Sequence, residues 1–228
     1  VMLNSDGRFD LNGFAEAINI IGGTGIIDLG SGGHLTVGAN NGSSAFGGSI
    51  TGTGDFTKQG TGTFTLNSDL NLAGTFTLAG GTLALNGNDL VADTLHITAN
   101  SIIDFGSAVA SLLSVVNFII DGGVSLTIAN WSDAVDYFVT QNWAGAVYDL
   151  RGAAPMNQIT FNGFAGSDTQ WQEYDLQITP VPEPSTYGAL MLGLCATLYL
   201  WRRRQTKNQA TPTRPVPAGG NDPDQAGE

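Results

Sequence analysis

Residues 52–88 read GTGDFTKQGTGTFTLNSDLNLAGTFTLAGGTLALNGN, and this stretch decides the fold. Thr63-Phe64-Thr65-Leu66 returns as Thr75-Phe76-Thr77-Leu78 and, more loosely, as Thr82-Leu83-Ala84-Leu85. Further out, His34-Leu35-Thr36-Val37 and Ser125-Leu126-Thr127-Ile128 share the pattern. Each run alternates polar with apolar, the period-two signature of a strand with one buried face. Gly-Gly pairs at 22–23, 32–33, 47–48, 80–81 and 122–123, with Asn-Gly at 41–42 and 86–87, punctuate the runs as turns. Ile-Ile-Asp echoes at 26–28, 102–104 and 119–121. No sustained helical period competes, so the fold class is all-β.

A sandwich favours longer strands joined by hairpins at spacings of about eight to twelve residues. Near-identical short strands with interleaved Thr and Asn suit a solenoid better. Each coil then stacks on the last, and the inward Phe, Leu, Val and Ile make one continuous column. The expectation is a right-handed parallel β-helix, a β-solenoid, over residues 21–129. Residues 130–180 are richer in aromatics, among them Trp131, Tyr137, Phe138, Trp143, Phe161 and Trp171. They read as a C-terminal aromatic cap and junction. Within them Ser132 is expected to cap a short helix bearing Ala134, Val135 and Phe138, while residues 159–164 and 174–178 read as strands.

The chain has 228 residues and a formal charge of −12, with 12% charged residues, 42% hydrophobic residues and one Cys. That hydrophobic content excludes global disorder. The acidic balance argues against nucleic acid, whose phosphates call for a basic patch. A single Cys makes no internal disulfide, and no Cys/His spacing marks a structural zinc.

Charge is segregated along the chain. Before residue 187, three cations (Arg8, Lys58 and Arg151) face seventeen carboxylates, a net of −14. After Trp201, five cations (Arg202, Arg203, Arg204, Lys207 and Arg214) face three carboxylates. Between them Tyr187 to Trp201, YGALMLGLCATLYLW, carries no charge. As a helix it would span about 22 Å, short of a hydrocarbon core of about 30 Å. Ser185, Thr186 and snorkelling arginines extend its reach, and Tyr199 and Trp201 suit the interface. A single transmembrane helix is expected here; a buried core helix is the competing reading. The arginines mark the cytoplasmic side, so residues 1–180 are expected outside the cytoplasm.

Directly before this run stands Val181-Pro182-Glu183-Pro184-Ser185. Two alternate prolines hold the backbone extended and solvated. Extended motif, apolar run and Arg cluster together resemble the PEP-CTERM sorting signal of Gram-negative bacteria, over residues 181–204. The resemblance implies that an exosortase recognises Pro182, Glu183 and Pro184. It also implies that the apolar helix holds the substrate in the lipid bilayer and that Arg202, Arg203 and Arg204 stop translocation. Export to the cell envelope, cell surface or extracellular polysaccharide matrix follows from it, as for a biofilm component. The remaining residues, 205–228, depart from the family's short ending and read as a disordered tail. Residues 53–87 also resemble the autotransporter-associated β-strand repeat, which implies a passenger-like stalk. Residues 1–20, VMLNSDGRFDLNGFAEAINI, lack a secretory signal pattern. They read as the N-terminal edge of a truncated chain.

No catalytic constellation is visible, so an enzyme is not expected. Lys58 reads as a solvated strand-edge residue. His34 and His96 read as surface or packing residues, and Cys195 as an inert thiol within the span. Asp89, Asp93 and Asp104, near turns, are the candidate calcium ligands; otherwise no cofactor and no metal is expected. Trp131, Trp143 and Trp171 are the candidates for stacking on sugar rings, although aromatic residues more often fill a core. Two functions follow: an exported structural or adhesin-like surface protein, or a surface protein that binds or degrades polysaccharide.

Overall fold

The computed structural model describes residues 1–106, 109–143, 156–164, 169–172 and 176–180. Strands come in the order β1 (Met2–Leu3), β2 (Arg8–Asp10), β3 (Ala15–Ile18), β4 (Gly22–Gly23), β5 (Ile26–Asp28) and β6 (His34–Val37). Then follow β7 (Ser44–Phe46), β8 (Ser49–Thr51), β9 (Asp55–Gln59), β10 (Thr63–Leu66), β11 (Leu70–Ala84) and β12 (Leu90–Asp104). Last are β13 (Leu112–Ile120), β14 (Leu126–Ala129), β15 (Tyr137–Trp143), β16 (Ile159–Phe161), β17 (Thr169–Gln172) and β18 (Gln177–Pro180), with a 3-10 turn at Met156–Gln158.

Parallel pairing between segments one coil apart makes this a β-solenoid of about six turns. Eighteen residues separate the partners Arg8 and Ile26, and twenty-five separate Asn117 and Asn142. One side stacks β3, β6, β9, β11, β12, β13 and β15. A second stacks β7, β10, β11, β12, β14 and β16. The third begins with β2, β5 and β8, and further along it aligns Leu70, Leu90 and Leu113. Alternation in the sequence becomes geometry here. Every second side chain points inward, and equivalent inward residues stack into columns such as Leu35, Phe56, Phe76, Leu95 and Phe118, all buried. Phe56 and Phe76 stack with centroids 5.2 Å apart, and Phe64 reaches Phe56 from the second side at 5.1 Å.

Two local expectations change. The runs at 75–78 and 82–85 do not form separate strands: β11 carries through the corner with register shifts after Leu72 and Leu78. Nor do residues 132–140 form a helix. Val135 and Asp136 donate backbone N–H groups to the Ser132 carbonyl, making one turn. Ala134, at φ 63°, then takes a left-handed conformation that a right-handed helix cannot include. From Tyr137 the chain pairs with β13 through six residue pairs. The open sheet edge thus outcompetes a helix only two turns long, whose nucleation is costly.

The parallel pattern stops at the far end. β18 pairs antiparallel with β15 at Val139–Gln177, and β17 pairs antiparallel with β18 through four residue pairs. Phe105 and Phe161 meet Trp131 edge-on at 5.0 and 5.1 Å nearby. The described strands belong to one compact unit, residues 1–181, and residues 182–228 lie outside the described residues. The expected span at 187–201 lies there too. Among the described residues no helix is long and apolar enough to cross a membrane.

Candidate functional site

On the first side of the solenoid, the outward positions make two polar rows. His34, Asp55, Thr94, Asn117 and Asn142 occupy one, and Thr36, Thr57, Thr77 and His96 the other. Neighbouring coils satisfy one another. The His34 Nε2 and Thr57 hydroxyl lie 2.7 Å apart, and the Asn142 amide donates to Asn117 Oδ1 at 3.4 Å. His96 Nε2 sits 2.8 Å from Asp121 Oδ1. The two histidines are three coils apart, so they do not form a site together.

Lys58 differs most from its expected place. Its side chain is 1% exposed. Strand alternation puts it on the same face as Phe56, in an inward column with Val37, Leu78 and Ile97. That signal was present in Asp55-Phe56-Thr57-Lys58, where every second residue faces the core. The ammonium reaches the corner and donates to the carbonyls of Gln59 at 3.1 Å, Gly60 at 3.0 Å and Gly80 at 3.0 Å. Three carbonyls match the three donors of a lysine. Burial pushes the Lys58 pKa below its ordinary value. This amine ties two successive coils together, and its donors are committed to the backbone.

The candidate calcium ligands accept from separate partners. Asp89 Oδ1 accepts from the Leu112 N–H at 3.0 Å, and Asp93 accepts from the Thr94 hydroxyl at 3.0 Å. Asp104 Oδ1 accepts from the Gly106 N–H at 2.9 Å and the Asn130 amide at 2.7 Å. Among the described residues no three His, Cys, Asp or Glu side chains are gathered to hold a metal ion. Asp136, which the sequence did not single out, is 2% exposed. Its two oxygens accept from the Ser111 N–H at 3.1 Å and the Ser132 N–H at 2.8 Å.

Trp131 borders an open cleft of about 420 Å³ lined by Gly106, Val109, Asn130, Ser132, Val135 and Asp136. Its ring is only 8% exposed, packed between Phe105 and Phe161, and its indole N–H donates to Asp133 Oδ1 at 2.7 Å. Trp143 ends β15 and Trp171 stands in β17; their side chains lie outside the described residues, as do Cys195 and Arg151.

The last described residue, Pro180, is buried at the end of β18. Val181, Pro182, Glu183, Pro184 and Ser185, the apolar run and Arg202, Arg203 and Arg204 follow, outside the described residues. The β-solenoid is consistent with the repeat resemblance at residues 53–87. No curated protein and no solved structure matches the chain. The family model of the PEP-CTERM protein-sorting motif matches residues 180–204, so the chain carries that sorting motif from the last residue of β18 onward.

Proposed function

We propose that the protein is an exported cell-envelope component whose β-solenoid is the exposed part and whose C-terminal motif is recognised and processed by an exosortase. The observation that carries this reading is the sorting-motif match at residues 180–204. Charge segregation supports it: an acidic body, an uncharged run from Tyr187 to Trp201, then three arginines. Pro182, Glu183 and Pro184 are the recognition residues. The apolar run spans the bilayer before processing, and Arg202, Arg203 and Arg204 stay on the cytoplasmic side. The body acts as a structural, adhesin-like stalk of right-handed coils, the hand that parallel crossovers take almost without exception. Its aromatic end sits next to the junction.

The test is expression of the full chain in a bacterium that has an exosortase. Glu183→Ala and Pro184→Ala are expected to leave the protein membrane-bound, with the unprocessed mass. If both variants show the mature mass and location of the wild type, the reading is wrong. Circular dichroism of the variants keeps a folding defect from being mistaken for a sorting defect.

A further inference from the structure

Asn-Gly occurs at residues 12–13, 41–42, 86–87 and 162–163. Asparagine is a chemically labile residue, most of all before glycine, which has no side chain to keep its own backbone nitrogen from the asparagine Cγ. That nitrogen must give up its proton as it attacks, so a hydrogen bond from its N–H holds the reaction back. At the first three pairs the fold supplies one. Gly13 donates to the Leu29 carbonyl at 3.2 Å, Gly42 to Asn19 Oδ1 at 3.1 Å and Gly87 to Ser111 Oγ at 3.1 Å. Each acceptor lies on a neighbouring coil. At Asn41 the side chain is engaged as well, its Oδ1 accepting from the Thr61 N–H at 2.9 Å.

Gly163 is placed differently. Among the described residues its N–H has no hydrogen-bond partner, and an added Cβ would meet nothing within 4 Å. Asn162 and Gly163 are both exposed. They form the middle of a turn that the Phe164 N–H closes on the Phe161 carbonyl at 3.3 Å. The matching bonds at 12–13 and 86–87, Phe14 to Leu11 and Asn88 to Leu85, measure 2.9 and 3.0 Å. The turn at 162–163 is thus closed by the longest of these bonds, beyond the usual N–H···O range. Its base is nevertheless fixed, because the Asn162 N–H donates to the Ile128 carbonyl at 2.8 Å and Phe161 packs on Trp131.

We infer that Asn162 is the chain's site of spontaneous conversion to aspartate and isoaspartate, while stacking of the coils shields the other three Asn-Gly pairs. The Gly163 nitrogen bonds to the Asn162 Cγ, the bond from Cγ to the side-chain nitrogen breaks, and ammonia leaves with the proton from the Gly163 N–H. Water then opens the cyclic imide at either carbonyl. Opening at Cγ gives aspartate, and opening at the main-chain carbonyl gives isoaspartate. Either product adds one negative charge to an acidic body, and isoaspartate also lengthens the main chain by one carbon at the end of β16.

The full chain, held in warm, mildly alkaline buffer with mild detergent, is sampled over time by peptide mapping with fragmentation that distinguishes isoaspartate. Conversion at Asn162 is expected to run roughly tenfold ahead of Asn12, Asn41 and Asn86, the scale of one hydrogen bond. Equal rates, or a lead at any of the other three, would overturn the inference. In concentrated urea the four sites are expected to draw level; a lead kept by Asn162 there would assign it to neighbouring sequence and sink the role of the fold. Ser111→Ala removes the acceptor of the Gly87 N–H and is expected to quicken Asn86, with circular dichroism reporting the fold. Asn19→Ala does the same for Asn41 at a less buried position. Unchanged rates at Asn86 and Asn41 in these folded variants would count equally against the inference.

Discussion

The Lys58 Nζ lies 3.0 Å from the Gly80 carbonyl oxygen, twenty-two residues further along the chain and one coil away. It is a polar tie inside an otherwise apolar column. Lys58→Met fits that column but leaves three acceptors without their donor. Losing one side of such an arrangement costs about 1–3 kcal/mol. A lower midpoint in urea unfolding, at unchanged slope, is the expected result.

The same lysine gives the stability a pH dependence. Burial lowers its pKa in the folded chain below the ordinary 10.5. Above 10.5 the amine is neutral folded or unfolded, and no cost of burying its charge is paid. As pH falls from 10.5 towards the lower folded value, the unfolded chain takes up a proton that the folded chain does not yet hold, and stability is lost. Wild-type stability relative to Lys58→Met is therefore expected to rise with pH across the window that ends at 10.5. A difference that stays flat there would contradict the burial argument.

Gly81 and Gly122 both belong to Gly-Gly pairs, yet they should respond differently to alanine. Gly81 has φ +70°, and an added Cβ would stand 2.3 Å from the Gly62 carbonyl oxygen and 2.5 Å from that of Gly60. Backbone on two sides cannot yield, so Gly81→Ala is expected to cost more than the roughly 1–2 kcal/mol of a left-handed residue alone. An added Cβ at Gly122 meets nothing within 4 Å. Gly122→Ala should shift the thermal midpoint little.

Phe76 is fully buried between Phe56 and the Leu95 position of the next coil. Phe76→Ala is expected to destabilise by about 3–5 kcal/mol, and Phe76→Leu by much less. Calorimetry distinguishes them.

Asp136 holds the Ser111 and Ser132 N–H groups with its two oxygens. Asp136→Ala should cost about 1–3 kcal/mol through the buried donors it strands. Faster hydrogen exchange at both amides is the accompanying sign.

Period-two alternation at 63–66 and 75–78, with glycine punctuation, was enough to read a stacked β architecture, because solenoid coils reuse one local pattern. Lys58 was misplaced because its charge was weighed above its register with Phe56. The helix expected after Ser132 failed for a different reason. Local capping chemistry carries no information about the β13 edge that pairs with Tyr137 and its successors. The Gly-Gly pairs look alike in sequence, and only the packed coils separate a crowded corner at Gly81 from the open turn at Gly122. The sorting motif was legible outright, because its order of extended segment, apolar run and arginines is local and linear. That its first matched residue is shared with β18 needed the structure.

Arg8 is bound to Asp28 and lies 3.7 Å from Asp10, while Lys58 faces the interior. The outside of the described solenoid consequently offers no unpaired lysine or arginine to neutralise its many carboxylates. Crowded copies of this body would repel sideways over a screening distance of about 8–10 Å near physiological salt. A coat of them should swell in fresh water and tighten in brine, which neutron reflectometry on a supported layer would register.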